Sequence, residues 1–466
     1  MVFQSTYLTI FFLALSNILI AQQKPNIIHI VGDDVGWDDL SSFGSTYYKT
    51  PNIDKLASEC VRLTNFYAPH STCTPSRAAF MTGRYSPRIN DGNPLGVLFP
   101  SDTRGLDSAK EITFTKILQQ NNYKTALFGK WHLGHLPQFL PLAHGFDVFL
   151  GIPYPNDHGP ERQGNTGSRG FPPIPLIENN VKIHDLDNND LAELPAKFVR
   201  GVCDFISSCV RADQQFYVQY SNIETHTPYF IPKGFGGSQY GAYGDAVEYF
   251  DLSVGIIIDH IKKLGIEKNT IIVLHADNGP LVYRYEELER CYGRYAYVDT
   301  SLKHLLRDGK YQDRFEGGQR VSCIIKWPGV IPSGKVNQQI ITGADWFTTF
   351  ITLAGGSVPK DRIIDGKYVL PILTNVNAPA IRNTYYAFDP YSTIKGVRYN
   401  DWKLVIDKRN APTKYLLYDL ANDPGEKTDL SASYVNIVTS LKLLVEEATH
   451  AVKNKKPLKD FNQFNF

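Results

Sequence analysis

The chain has 466 residues, with 48 Lys or Arg against 47 Asp or Glu and a formal net charge of +1. So even a balance recruits neither nucleic acid nor an anionic membrane surface, and an anionic ligand has to be held by a local cluster of charge. The length exceeds the roughly 250–300 residues at which a single core stops growing, which implies two domains.

Residues 6–20 are almost wholly apolar and end at Leu19-Ile20-Ala21, the pattern of a secretory signal peptide over residues 1–21. The stretch is too short for a comfortable membrane span, so the mature protein is expected to have none. The chain contains no Asn-x-Ser/Thr acceptor, which fits a bacterial periplasmic or secreted protein better than an animal secretory one. The six cysteines, Cys60, Cys73, Cys203, Cys209, Cys291 and Cys323, are too few and scattered for a disulfide scaffold or a zinc site. A local Cys203–Cys209 pair and two buried free thiols both stay open.

Four short β-rich runs each stop at a polar cluster. Residues 26–31 lead into Gly32-Asp33-Asp34, and residues 124–128 into Gly129-Lys130-Trp131-His132. Residues 215–221 lead into Glu224-Thr225-His226, and residues 270–275 into Asp277-Asn278-Gly279. Helical patterns lie between them, the clearest being Val247, Phe250, Val254, Ile257, Ile258, Ile261 and Leu264, closed by Gly265. Strands alternating with helices imply an α/β sheet, in which ligands sit beyond the carboxyl ends of the strands. One site built from four distant segments follows.

Residues 151–196, rich in Pro, Gly and Asn, read as a long loop or insertion over that site. After Gly355-Gly356 short runs with turn signals predict a small antiparallel sheet and a closing helix over residues 434–452.

Cys73-Thr74-Pro75-Ser76-Arg77 opens a helix that Gly83 can end, placing Arg77 one turn after Cys73. An isolated Cys there would be a partly buried residue of a capped helix. Cys-x-Pro-x-Arg followed by Ala78-Ala79 and Thr82-Gly83-Arg84, however, resembles the signature of the formylglycine sulfatases. A second signature of that family is matched by residues 122–126 with Gly129-Lys130-Trp131-His132-Leu133-Gly134. The resemblance continues through Asp277-Asn278-Gly279-Pro280, Glu316-Gly317-Gly318 and Trp327-Pro328-Gly329 to Asp423-Pro424-Gly425-Glu426, nearly the whole mature chain.

The resemblance implies an alkaline-phosphatase-like fold, a large mixed β-sheet sandwiched by helices in a catalytic domain over residues 22–375. A smaller C-terminal α+β domain over residues 376–466 would carry a short antiparallel sheet. It implies that a maturation enzyme oxidises Cys73 to formylglycine (3-oxoalanine), whose hydrate offers one hydroxyl to attack sulfur and a second to expel sulfate. Asp33, Asp34, Asp277 and Asn278, with the matured Cys73, would bind one Ca²⁺; those four supply only oxygen ligands, which suits a hard cation. A tandem Asp after a strand is on its own more often a cap or turn. Arg77, Lys130 and Lys310 would neutralise sulfuryl oxygens, with His132 and His226 as the proton-transfer pair. Residues 151–160 resemble a loop of arylsulfatase A and its hexosamine-6-sulfatase relatives, with Pro155 in place of a Ser found in some of them.

A phosphatase or phosphodiesterase of the same superfold would need a Thr or Ser nucleophile and His-rich ligands for two zinc ions, and the chain offers neither. A carbohydrate-binding relic with an unmatured Cys73 would not need every catalytic position filled. The resemblance therefore implies a sulfatase acting on sulfated carbohydrate, an algal polysaccharide such as ulvan first, with a glycosaminoglycan or small aryl sulfate as the alternative.

Overall fold

The computed structural model describes residues 24–159, 171–282, 305–409 and 411–460. The apolar leader, Cys291 and Pro160 lie outside the described residues. The strands, in chain order, are β1 (Asn26–Gly32), β2 (Val61–Tyr67), β3 (Lys124–Lys130), β4 (Val148–Ile152), β5 (Pro175–Glu178), β6 (Val181–Asp185), β7 (Phe216–Ser221), β8 (Thr270–Ala276), β9 (Arg320–Lys326), β10 (Lys335–Asn337), β11 (Ile341–Thr342), β12 (Thr384–Phe388), β13 (Ile394–Tyr399), β14 (Trp402–Asp407) and β15 (Lys414–Asp419). The helices are α1 (Pro51–Ser58), α2 (Cys73–Thr82), α3 (Phe114–Gln120), α4 (Asn188–Arg211), α5 (Gly241–Leu264), α6 (Glu316–Gln319), α7 (Asp345–Leu353), α8 (Leu370–Thr374) and α9 (Val435–Lys453).

A mixed sheet of 11 strands runs β10-β2-β9-β8-β1-β7-β3-β4-β5-β6, with β11 beside β2. Strands β8, β1, β7, β3 and β4 are parallel neighbours. Every residue of β1, β7 and β8 is buried, as expected of parallel strands covered on both faces. Successive residues of β7 show which helices cover which face. The Phe216 ring lies 6.2 Å from Phe205 of α4, whereas Tyr217 lies 5.1 Å from Phe114 of α3 and 6.0 Å from Phe350 of α7. Side chains alternate along a strand, so α4 covers one face and α3 and α7 the other. On the latter face Trp346 is fully buried and stacks on Phe66 and Phe350, each 5.7 Å away. Truncating so large a buried ring costs about 3–5 kcal/mol.

Helix α5 buries the predicted stripe from Val247 to Ile261 and ends at Gly265 with φ 68°. Helix α2 ends at Gly83, also at φ 68°, a conformation that Gly adopts without steric cost.

Residues 151–196 differ from the loop expected of them. They hold the end of β4, the β5–β6 hairpin that extends the sheet at its edge, and the start of α4. Asp187 caps α4 through a reciprocal pair of hydrogen bonds with Asp190. Cys203 and Cys209 are free thiols on α4. A rise of about 9 Å over six helical residues keeps them too far apart to bond. No described helix is long and apolar enough to cross a membrane.

The second sheet, β12-β13-β14-β15, is antiparallel and buries Val397, Leu404 and Leu417 against Ile437, Leu441 and Leu444 of α9. A buried ionic network joins it to the large sheet. Lys403 Nζ lies 2.9 Å from both Glu316 Oε1 and Glu426 Oε1, Arg398 Nη1 donates to Tyr67 Oη at 2.7 Å, and Tyr67 donates to Glu316 Oε2 at 2.6 Å. Burial raises Glu316, but Lys403, Arg320 and Arg398 outweigh it and hold the carboxyl at about 2. In Glu426 burial wins over Lys403, and the carboxyl is pushed up to about 7.

Folded Glu426 therefore keeps a proton that the unfolded chain releases above its ordinary 4.5, so stability falls as pH rises through that window. Glu316 changes stability only below pH 4.5. We expect the stability difference between wild type and Glu426→Gln to shrink by an amount worth a few °C of melting temperature between about pH 5 and 8, because the contribution of the Glu426 proton is lost there while the buried histidines act equally in both proteins; scanning calorimetry of the pair reads it.

Candidate active site and metal centre

The four expected strand ends are adjacent, in the order β8-β1-β7-β3, and nearly level. Gly32 pairs with Ala276, Val31 with Ser221, and Ser221 with Gly129. The residues that follow, Asp33, Asp277, Asn222 and Lys130, therefore emerge along one edge of the sheet. Gly129 makes the last of these pairings possible. Its φ is +113°, and a Cβ there would lie 1.8 Å from the Ser221 carbonyl oxygen. Helix α2 points its first turn at the same edge and brings Cys73 and Arg77.

Asp33, Asp34, Cys73, Arg77, Lys130, His132, His226, Asp277, Asn278 and Lys310 are each at most 5 % exposed. Cys73 Sγ lies 3.7 Å from Asp33 Oδ1 and 3.9 Å from Asp34 Oδ1. Lys130 Nζ donates to Asp33 Oδ2 at 2.6 Å, and Lys310 Nζ to Asp34 Oδ2 at 2.8 Å. Arg77 Nε donates to Asp277 Oδ2 at 2.8 Å, and its Nη1 to Lys130 O at 2.9 Å and Ser221 Oγ at 3.3 Å. Its Nη2, 3.8 Å from Asp33 Oδ1, has no hydrogen-bond partner.

Each protonation state has a local cause. Burial raises Asp33, but Lys130, His226, Arg77 and Lys310 outweigh it and hold the carboxyl well below its usual range. Burial lowers Lys310, and its pairing with Asp34 more than compensates, leaving the ammonium firmly charged. Burial, with help from Lys310 and Lys130, lowers His226 to about 3. His226 Nδ1 lies 2.6 Å from Thr227 O and so carries the ring proton, leaving Nε2 to accept from Lys310 Nζ at 3.1 Å. His132 is lowered well below its ordinary value by burial and then by Lys130. Its Nε2 donates to Leu98 O at 3.0 Å, and Nδ1 is buried without a partner, which makes Nδ1 the free base. Burial pushes the Cys73 thiol up to about 12, against the pull of Lys130 and Lys310, so an unmodified Cys73 is a poor nucleophile near neutral pH.

The cluster can hold a divalent cation, and its carboxylates and the Asn278 amide oxygen are the donors that a hard one takes. Ligand atoms of Asp33, Asp34, Cys73 and His226 all lie within 4.8 Å of one another. Asn278 donates from Nδ2 to Asp34 Oδ1 at 2.7 Å, which leaves its buried Oδ1 without a partner. Asp277 is shared differently: its Oδ1 accepts from the Asp34 N–H at 3.3 Å while Arg77 takes Oδ2. Three carboxylates face three fixed cations, so these side chains alone give little net attraction for an anion. A divalent ion would turn the cluster positive.

Several supporting residues carried no motif. The Asp33 N–H donates to Asn222 Oδ1 at 2.6 Å, and Thr225 Oγ1 donates to Asp33 O at 2.5 Å. Asn156 Nδ2 lies 3.0 Å from Ile223 O, 3.2 Å from His226 O and 3.3 Å from Pro228 O, so it ties down the segment that carries His226. Its neighbourhood within a resembling loop was the available signal, but only tertiary contact reveals its acceptors.

The sulfatase family profile matches residues 25–357, and a profile described as N-sulphoglucosamine sulphohydrolase, C-terminal, matches residues 308–451. Arylsulfatase A of Bos taurus is 34% identical over 483 residues, covering 96% of this chain and 90% of its own. N-acetylgalactosamine-6-sulfatase of Canis lupus familiaris is 31% identical over 473 residues, covering 92% of this chain and 86% of its own. The crystal structure of Ps i-CgsB in complex with k-i-k-neocarrahexaose matches with a TM-score of 0.75 and 27% identity, over 95% of each chain.

Asn156→Ala removes a donor that Ile223 O, His226 O and Pro228 O share, of which Ile223 O keeps the His226 N–H at 3.3 Å, at a cost of about 1–3 kcal/mol. We expect faster amide exchange across residues 223–228, measured by mass spectrometry, together with a turnover reduced by roughly tenfold or more.

Proposed function

The chain belongs to the sulfatase family and is a sulfuric ester hydrolase, and from that premise we propose that it desulfates carbohydrate with a formylglycine made from Cys73 and one Ca²⁺. The observation that carries this reading is the burial of Cys73 at the start of α2, against Asp33 and Asp34 and among three fixed cations. A thiol held at about 12 has no evident use there; a residue matured to carry hydroxyls has one.

Matured, Cys73 would supply a hydrated aldehyde as the nucleophile. Ca²⁺, held by Asp33, Asp34, Asp277, Asn278 and the matured residue, would neutralise a sulfate oxygen and lower the pKa of the nucleophilic hydroxyl. The protein's own groups then divide the work. Lys130 holds Asp33 ionised, Lys310 pairs with Asp34, whose pKa burial raises, and both lysines add positive charge where sulfuryl oxygens would sit. Arg77 keeps Nη2 as a spare donor. Lys310 Nζ donates a hydrogen bond to Nε2 of neutral His226, and from this pair Lys310 would supply the proton that the departing oxygen takes up. His132, with a bare Nδ1, takes the proton released on the nucleophile's side.

For the substrate, we place an algal polysaccharide such as ulvan, or its oligosaccharides, first and a glycosaminoglycan second. The bound k-i-k-neocarrahexaose in one similar structure supports a sulfated glycan, and the N-acetylgalactosamine-6-sulfatase relative supports the second choice. Residues 1–21 support a periplasmic or secreted location, and maturation calls for a formylglycine-generating enzyme as partner.

Sulfate release by ion chromatography, from algal polysaccharides, glycosaminoglycans and their oligosaccharides, tests the reading. Enzyme co-expressed with a maturation system should release sulfate from one of them, Cys73→Ala should not, and chelation should abolish release until Ca²⁺ is restored. Silence across the panel with the Cys73 aldehyde present by peptide mass spectrometry would sink the carbohydrate assignment. Lys130→Ala should lower turnover by about 10²–10³, the usual effect of losing a preorganised donor to developing charge; a loss of only a few fold would reduce Lys130 to positioning.

A further inference from the structure

We propose that Tyr311 is the platform on which the ring of the sulfated sugar lies, making it a specificity-determining residue of this site; the proposal rests on the carbohydrate reading above. Lys310 is 5 % exposed and Tyr311, the next residue, is 54 % exposed. Within one residue the chain passes from a buried lysine that touches Asp34 and His226 to a tyrosine that keeps over half of its surface open while its phenol end reaches into the cleft, where burial pushes its pKa up to about 12. Lys310 Nζ lies 5.7 Å from the centroid of that ring, and the phenol is within electrostatic reach of Cys73, Asp34 and Asp157. The ring therefore stands at the mouth of the catalytic cluster.

Its backbone is held in an unusual state. Tyr311 has φ +68°, a left-handed conformation that bulky side chains rarely adopt and that persists where the surroundings over-determine it. The surroundings here are the Lys310 N–H bonded to Pro280 O at 2.8 Å and the Tyr311 N–H bonded to Ser71 O at 3.1 Å. Glycine would make this turn without strain. The tyrosine recovers little of the strain through burial, since over half of it is exposed. What the arrangement gains is an oriented ring face beside the group that holds the leaving-side proton. A pyranose offers such a face an apolar patch of C–H bonds, and tyrosine combines a flat apolar surface with a polar tip at low conformational cost.

The test uses matured, Ca²⁺-loaded enzyme and three variants, with whichever sulfated carbohydrate of the panel above, ulvan oligosaccharides, k-i-k-neocarrahexaose and 6-sulfated N-acetylgalactosamine included, the wild type turns over fastest, and with p-nitrophenyl sulfate as reference. For Tyr311→Ala we expect KM on the sugar to rise tenfold or more, with the change falling on KM. Tyr311→Phe should recover to within about threefold of wild type. Inhibition by inorganic sulfate should keep its constant within twofold in both, because the charged cluster is untouched. Tyr311→Gly should share the rise in KM while melting at or above the wild-type temperature, since it relieves the strained φ. A Tyr311→Ala enzyme with wild-type KM overturns the proposal. So does a parallel weakening of sulfate inhibition, which would make the ring a support for Lys310. If the wild type hydrolyses the aryl sulfate and none of the carbohydrates of that panel, the carbohydrate reading fails and the platform with it.

Discussion

Three carboxylates and three cations are buried together at one edge of the sheet, and the rest of the site is organised by the need to keep each of them paired. A buried charge is tolerated only with a partner and with its remaining hydrogen bonds met. Lys130 answers Asp33, Lys310 answers Asp34, and Arg77 answers Asp277. Those partners come from β3, from the segment before α6 and from α2, so the cluster holds only if these elements meet within tenths of an ångström. The paired cluster leaves a few groups spare, namely Arg77 Nη2, Asn278 Oδ1 and His132 Nδ1. Those are the atoms with capacity for something the chain does not itself contain.

Part of the chain's left-handed backbone serves the same centre. Asp34, Gly129, His132 and Tyr311 all have positive φ, at 60°, 113°, 61° and 68°. Such residues cluster where a fold turns the chain sharply in order to aim side chains. Gly129 lets β3 meet the end of β7 closely enough for Lys130 O to receive Arg77. Asn156 does comparable work by polar contact, holding the His226 segment by its carbonyls.

Some of this was legible in the chain and some was not. The four polar clusters at strand ends could be read because a fully buried parallel strand is an unbroken apolar run, and the polar residues that end it stand out. The hairpin within residues 151–196 escaped notice because β5 and β6 have only 4 and 5 residues, and the brief Val181-Lys182-Ile183-His184 alternation of β6, exposed along its whole length, sits in a stretch rich in Pro, Gly and Asn. The start of α4 was marked by Asp187 and Asp190, an acidic variant of a capping box, hidden within a stretch whose composition spoke for loop. Asn156 and Ser221 carry no pattern of their own, since a polar side chain acquires a role only from the acceptors and donors that the fold brings to it.

By itself, the sequence determined the chemistry available: which strand ends carry carboxylates, that a Cys opens a helix with Arg one turn on, and that the donors suit a hard cation. These are local properties, set by residue type and by the periods of helix and strand. Tertiary structure alone decided that β8, β1, β7 and β3 lie side by side with their ends level, which cation answers which carboxylate, and which atoms are left without partners. Those outcomes depend on contacts between residues as much as 276 positions apart, such as Lys310 with Asp34, and a hydrogen bond or a lost solvation shell exists only once the chain has closed around it.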